Sequence, residues 1–440
     1  VEDDAGQMFA YLQQEVQGVV SDAMLRRFCD ESAANLRWLA DHGVPFDASL
    51  CPVKTSYPTD DYYLYYSGNE GFAPFRDHAT PAPRGHRAKG TGLPGRSFYA
   101  PLEASAREHG ATLRWHSKVE ALLQDDAGRV TGVRYRWIPD GFQANLHGWL
   151  EKAAIKFVNY VPKLARALRR RAAGIEAQHG VLRELRARRG VVLAAGGFIY
   201  NRDMVKQHAP AYRSGMPLGT AGCGGLGIQL GQSVGGAVDH MSRVSAWRFL
   251  NPPPAFTEGM LLNAEGQRYV NEALYGAAVG EAMVDHNGGV GLLVIDAALK
   301  ARARAEVGRG RTQWFQTAPA LANLWLNCRE ARDVPALAKL LNVDEAVARA
   351  TLERYNDADT DAFGKEKRKR LEPPFFVLDV GIRSKHWPLP TLTLGGLVVD
   401  EETGAVRRDD GAAIAGLYAA GRTAVGVCSR QYVSGLSIAD

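Results

Sequence analysis

A chain of 440 residues, 46% of them apolar, is long enough for two domains with a buried core in each. The net charge of +5 is small for that size, and the five cysteines (Cys29, Cys51, Cys223, Cys328 and Cys428) show no Cys-x-x-Cys spacing. This excludes the usual zinc and disulfide frameworks and leaves reduced thiols in a cytoplasmic protein as the expectation. No apolar run approaches the roughly 20 residues of a membrane span, and aromatic and basic residues do not interleave as in a nucleic-acid module. Neither a metal site nor a nucleic-acid partner is expected.

Residues 4–42 read as two helices, with Asp4 and then Ser21 or Asp22 as N-caps and Met8, Leu12, Val16, Leu25, Phe28, Leu36 and Leu39 at roughly helical spacing. Val1 leads into this polar start without an initiator methionine or a β-strand, so the chain reads as an internal fragment. Tyr57, Tyr62, Tyr63, Tyr65 and Tyr66 then crowd one loop, which either lines an apolar pocket or packs as a surface loop. A helix is predicted at 98–109 and strands at 112–116, 119–123 and 130–136, the last two joined by a turn at 125–128.

Residues 137–189 read as a basic helical insertion. From 134 to 189 there are 13 Lys/Arg against 4 Asp/Glu, interspersed with Trp149, Leu150, Phe157 and Leu164. Two readings fit: a helical hairpin packed on its own domain with a solvated basic face, or an amphipathic surface for peripheral contact with an anionic membrane. Residues 190–197 form a short buried strand running into small residues. The G-x-G-x-x-G from Gly222 to Gly227 lacks a preceding strand and is read as a plain loop.

From 241 to 390 the pattern shifts to mixed strands and helices: segments at 260–263 and 268–271 around a turn at 264–266, a helix at 276–286 and a strand at 291–295. The charged run 365–370 is read as a solvated loop. The chain ends in IAGLYAAGRTAVGVCSRQYVSGLSIAD, a buried parallel strand broken at Gly421, a loop of small residues, and a predicted helix from Ser434 to Asp440. Taken alone this is an ordinary strand–loop–helix. It is also a place where free N–H groups and a helix N-terminus can meet an anion or a polarised ring.

Gly-Leu-Tyr-Ala-Ala-Gly at 416–421, Gly435 and the closing Ser-Ile-Ala-Asp resemble the C-terminal FAD signature of the fumarate reductase and 3-ketosteroid dehydrogenase superfamily. Glu-Gly-Gln-Arg-Tyr-Val-Asn-Glu at 265–272 is similar to its capping-domain signature. The resemblance implies an α/β flavoprotein with a Rossmann-like FAD-binding domain at 1–240 and 391–440 and an inserted α+β capping domain at 241–390. The first strand and its Gly-rich turn would lie upstream of Val1. It further implies FAD contacts at Val119, Ala194, Ala195, Gly196, Gly197, Gly396, Ala420, Gly421, Arg422, Gly435, Leu436, Ser437 and Ile438. Arg422 departs from the family pattern, which commonly has an acid there, and the acids usual near Cys223 are missing.

The branch is read from three departures. Fumarate reductases carry a histidine and a substrate-clamping arginine where this chain has Cys428 and Tyr432, and a proton-donating arginine where it has Tyr275 and Gly276. Loss of these cations removes what a dicarboxylate needs. Tyr432-Val433-Ser434 resembles the Tyr-x-Ser of Δ4-(5α) 3-ketosteroid dehydrogenases, which implies desaturation next to the ketone of a steroid-like substrate by Tyr275, Tyr432 and Ser434, with an external electron acceptor. A Δ1-type dehydrogenase, a fumarate reductase-like flavoprotein and a flavin-less membrane-associated binding protein are the alternatives.

Overall fold

The computed structural model describes residues 3–158, 161–357, 361–366, 369–433 and 435–436. Two helices open the chain, Ala5–Val16 and Asp22–Asp41. Each begins where a side chain satisfies a first-turn N–H: Asp4 accepts from Gln7 N at 2.8 Å and Ser21 Oγ from Met24 N at 3.2 Å. Their inner face, with Tyr11, Leu12, Val16, Leu25 and Cys29, packs against Val427, Cys428, Val433 and Leu436. The first and last stretches of the chain thus share one core.

The tyrosine loop is packed around a buried cation. Arg87 donates to the Tyr57 hydroxyl at 3.0 Å, to Asp60 Oδ1 at 2.5 Å and to the carbonyls of Thr59, Gly90 and Gly92, while Tyr57 and Tyr63 cover its guanidinium. Gln313 joins the same hub through Asp60 at 2.8 Å. The tips of Tyr57 and Tyr63 are turned to Arg87 and to loop carbonyls, which is the packed-loop alternative.

After the helix Gly95–Glu108 comes an antiparallel sheet of Ser117–Gln124, Val130–Trp137 and Val181–Arg186. Two expectations are corrected here. Residues 112–116 form no strand, because His116 takes a left-handed φ of 53° that breaks an extended run just before Ser117. At the far end of the insertion, Val181–Arg186 is an edge strand and not helix. Its pairing with Val130–Trp137 places Glu184 opposite Arg134, an ion pair at 2.9 Å. Between these strands the helices Phe142–Phe157 and Pro162–His179 form a hairpin closed by Ala144, Leu150, Ala172 and Ile175 against Ile138.

The strand Val191–Leu193 pairs in parallel with Ala413–Ala419, Leu193 opposite Ala419, and Ala405–Arg407 flanks the pair. A second small sheet sets Pro390–Thr393 between Met216–Pro217 and Val244–Ala246. The largest core belongs to an antiparallel sheet ordered Met260–Leu262, Leu292–Asp296, Phe375–Asp379 and Cys328–Ala331, with helices packed on it.

Residues 268–271 contribute only an isolated bridge, Leu262 to Arg268. Their side chains serve a buried charge network: Glu272 accepts from Arg268 at 2.8 Å and from Lys365 Nζ at 3.0 Å. Lys365 is therefore not part of a solvated run. A carboxylate as deeply buried as Glu272 needs paired cations.

The helix Gly276–His286 sits where its spacing predicted it and lies unusually close to the strand Val244–Ala246. A Cβ on Gly280 would stand 1.7 Å from the Ala246 carbonyl oxygen, so only glycine admits this approach. The helix start and the residues just after that strand are thereby held side by side.

Candidate active site

Parallel pairing sends two chain segments out of the same sheet end in the same direction, which is where α/β sheets take ligands. Ala194, Ala195, Gly196 and Gly197 leave one strand, and Ala420, Gly421 and Arg422 leave the other, with Ala420 N still bonded to Leu193 O at 3.1 Å. The two turns are cross-linked by Thr423 Oγ1, which donates to Gly196 O at 3.2 Å. Thr393 Oγ1 accepts from Phe198 N at 2.9 Å. A Cβ on Gly197 would lie 2.3 Å from that hydroxyl, and one on Gly396 would lie 2.5 Å from Thr423 O. Glycine is required at both positions because the threonine hydroxyl at one and the backbone at the other leave no room for a Cβ.

Arg422 reaches across the turn to Cys223, Nη2 to Sγ 3.4 Å, so two of the departures from the family pattern touch each other. Its Nη1 is buried without a hydrogen-bond partner among the described residues. Gly421 and Gly435 hold φ of 56° and 90° with open space where a side chain would project. A cradle of small residues, open glycine turns and an unspent guanidinium N–H suit the phosphates and ring edge of a dinucleotide. Val119 packs against the core of the same parallel strands. Leu436 belongs to the core beneath the terminal loop. Ser434, Ser437 and Ile438, with most of the predicted closing helix, lie outside the described residues.

Beside the cradle the structure brings Tyr275 and Tyr432 into one buried cluster with Ala277, Leu392 and Leu394. Tyr432 lies against Trp247 with ring centroids 4.9 Å apart, Trp247 is 5.8 Å from Phe249, and Phe249 meets Tyr275 edge-on at 5.5 Å. The Tyr432 hydroxyl accepts the Gly435 N–H at 3.2 Å. Tyr275 caps the helix Gly276–His286, and its own N–H is held by Asn69 Oδ1 at 2.6 Å.

Sequence reasoning missed Trp247, Phe249 and Asn69. The alternation Trp247-Arg248-Phe249 was a usable signal, since it puts both rings on one face and the arginine on the other. Arg248 is buried against Trp387 and donates to its carbonyl oxygen at 2.8 Å. Asn69 gave no such signal, because its partner is 206 positions away.

Asn69 belongs to a buried polar network that ends at Glu15. Glu15 Oε1 accepts from Asn69 Nδ2 and from the Tyr11 hydroxyl, both at 2.9 Å, and Oε2 is buried without a hydrogen-bond partner among the described residues. Burial pushes the Glu15 carboxyl up to about 7, against the two hydrogen bonds that favour its charge.

The model family described as the FAD binding domain matches residues 1–437. The chain is 37% identical over 433 residues to a 3-oxo-5-alpha-steroid 4-dehydrogenase of Comamonas testosteroni, covering 94% of this chain and 80% of that protein. Among solved structures it is similar to a 3-ketosteroid-delta4-(5alpha)-dehydrogenase from Rhodococcus jostii RHA1 in complex with 4-androstene-3,17-dione, with a TM-score of 0.79 and 28% identity over all of this chain and 81% of the other. A flavocytochrome c3 fumarate reductase in its open conformation shares the fold at a TM-score of 0.59 and 18% identity, over all of this chain and 65% of its own.

The Glu15 site yields a stability prediction with a definite sign. A carboxyl whose folded value is raised from about 4.5 to about 7 binds more protons folded than unfolded, so stability falls as pH rises through that window. Glu15→Gln keeps the Oε1 acceptor and removes the charge. Denaturant melts should find it more stable than wild type at pH 8 by roughly 1–3 kcal/mol, with the two converging near pH 4.5. A variant that is less stable at pH 8 would mean that Glu15 is held there as a favourable anion.

Proposed function

The chain belongs to the FAD binding domain family and is an FAD-dependent oxidoreductase acting on CH–CH groups, and on that premise we propose that it desaturates the bond beside the ketone of a 3-ketosteroid-like substrate, as a Δ4-(5α)-dehydrogenase does. The observation that carries this reading is the aromatic series Tyr275, Phe249, Trp247, Tyr432, two phenols joined by apolar rings at the edge of the small-residue cradle. In this reading residues 1–240 and 391–440 are an interrupted FAD-binding domain and 241–390 a capping domain. Ala194, Ala195, Gly196, Gly197, Gly396, Ala420, Gly421 and Arg422 would hold the cofactor.

A ketone acidifies the neighbouring C–H only if its oxygen is held as negative charge develops, so the site needs a donor to that oxygen and a base for the proton. Tyr275 and Tyr432 fill these two roles between them, and Ser434 lies two positions on to relay the proton. The Gly435 N–H on the Tyr432 oxygen stabilises negative charge that develops there. Trp247 and Phe249 offer rigid apolar walls to a flat ring system. FAD, when bound, supplies the acceptor for the hydride that leaves the β carbon, at flavin N5. Two electrons then pass to an external acceptor.

A fumarate-type reaction fits less well, because the arginines near the tyrosines are turned to other partners. Arg430 is paired with Glu281 at 2.5 Å, and Arg248 donates from Nη2 to Trp387 O at 2.8 Å. The Arg430 guanidinium that stands nearest Tyr432 in the chain is thus already neutralised by a carboxylate.

The helical insertion supports a second partner. Its hairpin buries Ala144, Leu150, Ala154, Ala165 and Ala172 and exposes Phe142, Trp149, Ile155 and Leu164 among the exposed cations Lys152, Lys156, Lys163, Arg166 and Arg170. The two sequence readings are then compatible, one face packed and the other presented to an anionic membrane at the periphery of the cytoplasm. Among the described residues no helix is long and apolar enough to cross a membrane.

Tyr432→Phe keeps the ring and removes the hydroxyl. Flavin content should persist while steroid dehydrogenation falls by roughly 10²-fold, with Ser434→Ala falling less. Full activity with flavin bound would make Tyr432 a packing residue. Sedimentation with anionic vesicles should weaken with added salt and with Trp149→Glu. Equal binding to neutral vesicles, or none, would leave the hairpin as plain helical packing.

A further inference from the structure

Glu281 lies six residues beyond Tyr275 on the helix that Tyr275 caps, and it faces the terminal loop. Its Oε1 accepts from Arg430 Nη1 at 2.5 Å and from Arg243 Nη1 at 3.3 Å. Gln431, with its amide oriented so that the oxygen accepts from Ala278 N at 3.1 Å, donates to Glu281 Oε2 at 3.3 Å. Arg430 is held from the other side by Gln17 Oε1, 3.0 Å from its Nε. The carboxylate therefore grips the two residues that immediately precede Tyr432. Gly280, next to Glu281, fixes the depth of the helix against the strand that leads to Trp247.

We propose that Glu281 is the positioning residue of the reaction, a brace that sets Tyr432 at a fixed place relative to Tyr275. This rests on the reading of the two tyrosines as the reacting groups. From Thr423 to Ser429 the loop is built of small residues and Val, with Ser429 tied to Leu394 O at 2.8 Å at its near end, and Glu281 supplies the charged anchor at its far end. A side chain that must meet both a proton and a ketone oxygen loses rate steeply when displaced by about 1 Å. With Glu281 gone, Arg430 and Arg243 would also repel each other beside the loop.

The test is a double-mutant cycle on the FAD-loaded protein, with hydrogen exchange as a readout that needs no substrate. Glu281→Ala should lower kcat by about ten- to a hundredfold with KM and flavin content little changed. In a Tyr432→Phe background the same substitution should cost about twofold or less, because a brace has no effect once its phenol is gone. Glu281→Gln, which keeps an oxygen for Arg430 and Arg243, should recover most of the rate. Amides of residues 428–433 should exchange faster in Glu281→Ala while those of 191–193 do not change. Equal costs in both backgrounds, or unchanged exchange at 428–433, would overturn the proposal. If Glu281→Ala fails to fold, Arg430→Ala removes the same ion pair from the loop side, and faster exchange at 428–433 in that variant supports the brace while unchanged exchange overturns it. If wild type turns over no steroid, the functional reading falls, and the exchange experiment still decides whether Glu281 holds the loop.

Discussion

The parallel pairing of Val191–Leu193 with Ala413–Ala419 is the constraint on which the rest of the molecule depends. It joins segments more than 200 positions apart and points their ends the same way, so two turns of small residues emerge together. Everything placed there must tolerate close approach, Gly197 to the Thr393 hydroxyl and Gly396 to the Thr423 backbone, while Thr423 ties the two turns together. The strand needs only three paired residues because the turns are bonded to each other as well. A larger side chain at Gly197 would strike Thr393 before it struck any ligand.

The second requirement is that the terminal loop stay in one place although it has little regular structure. It is held from three directions: the N-terminal helices pack on Val427, Cys428 and Val433, Trp247 lies on Tyr432, and Glu281 pairs with Arg430. These contacts come from the start and the middle of the chain. The helix Gly276–His286 supplies the last of them through Glu281 in its second turn, and Tyr275 stands at its N-cap. The proposed catalytic pair, built on a loop and a helix cap, gains its geometry from such surroundings, because neither element alone fixes a phenol.

Much of this was legible in the sequence, for identifiable reasons. Caps and apolar spacing located the helices at 5–41 and 276–286 because these features are local, whereas the turns at 194–197 and 420–421 were singled out by the family resemblance. Tyr275 and Tyr432 were found by the departures they make from a family pattern, and the structure puts them in one cluster. What stayed hidden depends on distant partners. Val181–Arg186 looked helical because its side chains are largely exposed and its stability comes from hydrogen bonds to a strand before the insertion. Lys365 looked solvated because Glu272, which draws it inside, is 93 positions away. Asn69 and Glu281 are single polar residues in ordinary surroundings, and only folding shows what they hold.

The central claim is that this fold oxidises a neutral ring ketone rather than reducing a dicarboxylate. The most direct measurement is anaerobic mixing of the FAD-loaded full-length protein with a saturated 5α-3-ketosteroid while the flavin absorbance is followed and the product is identified. The account predicts bleaching of the oxidised flavin with stoichiometric formation of the 4-ene-3-ketone. A flavin that stays oxidised with the steroid, while the chemically reduced protein is reoxidised by fumarate, would contradict it.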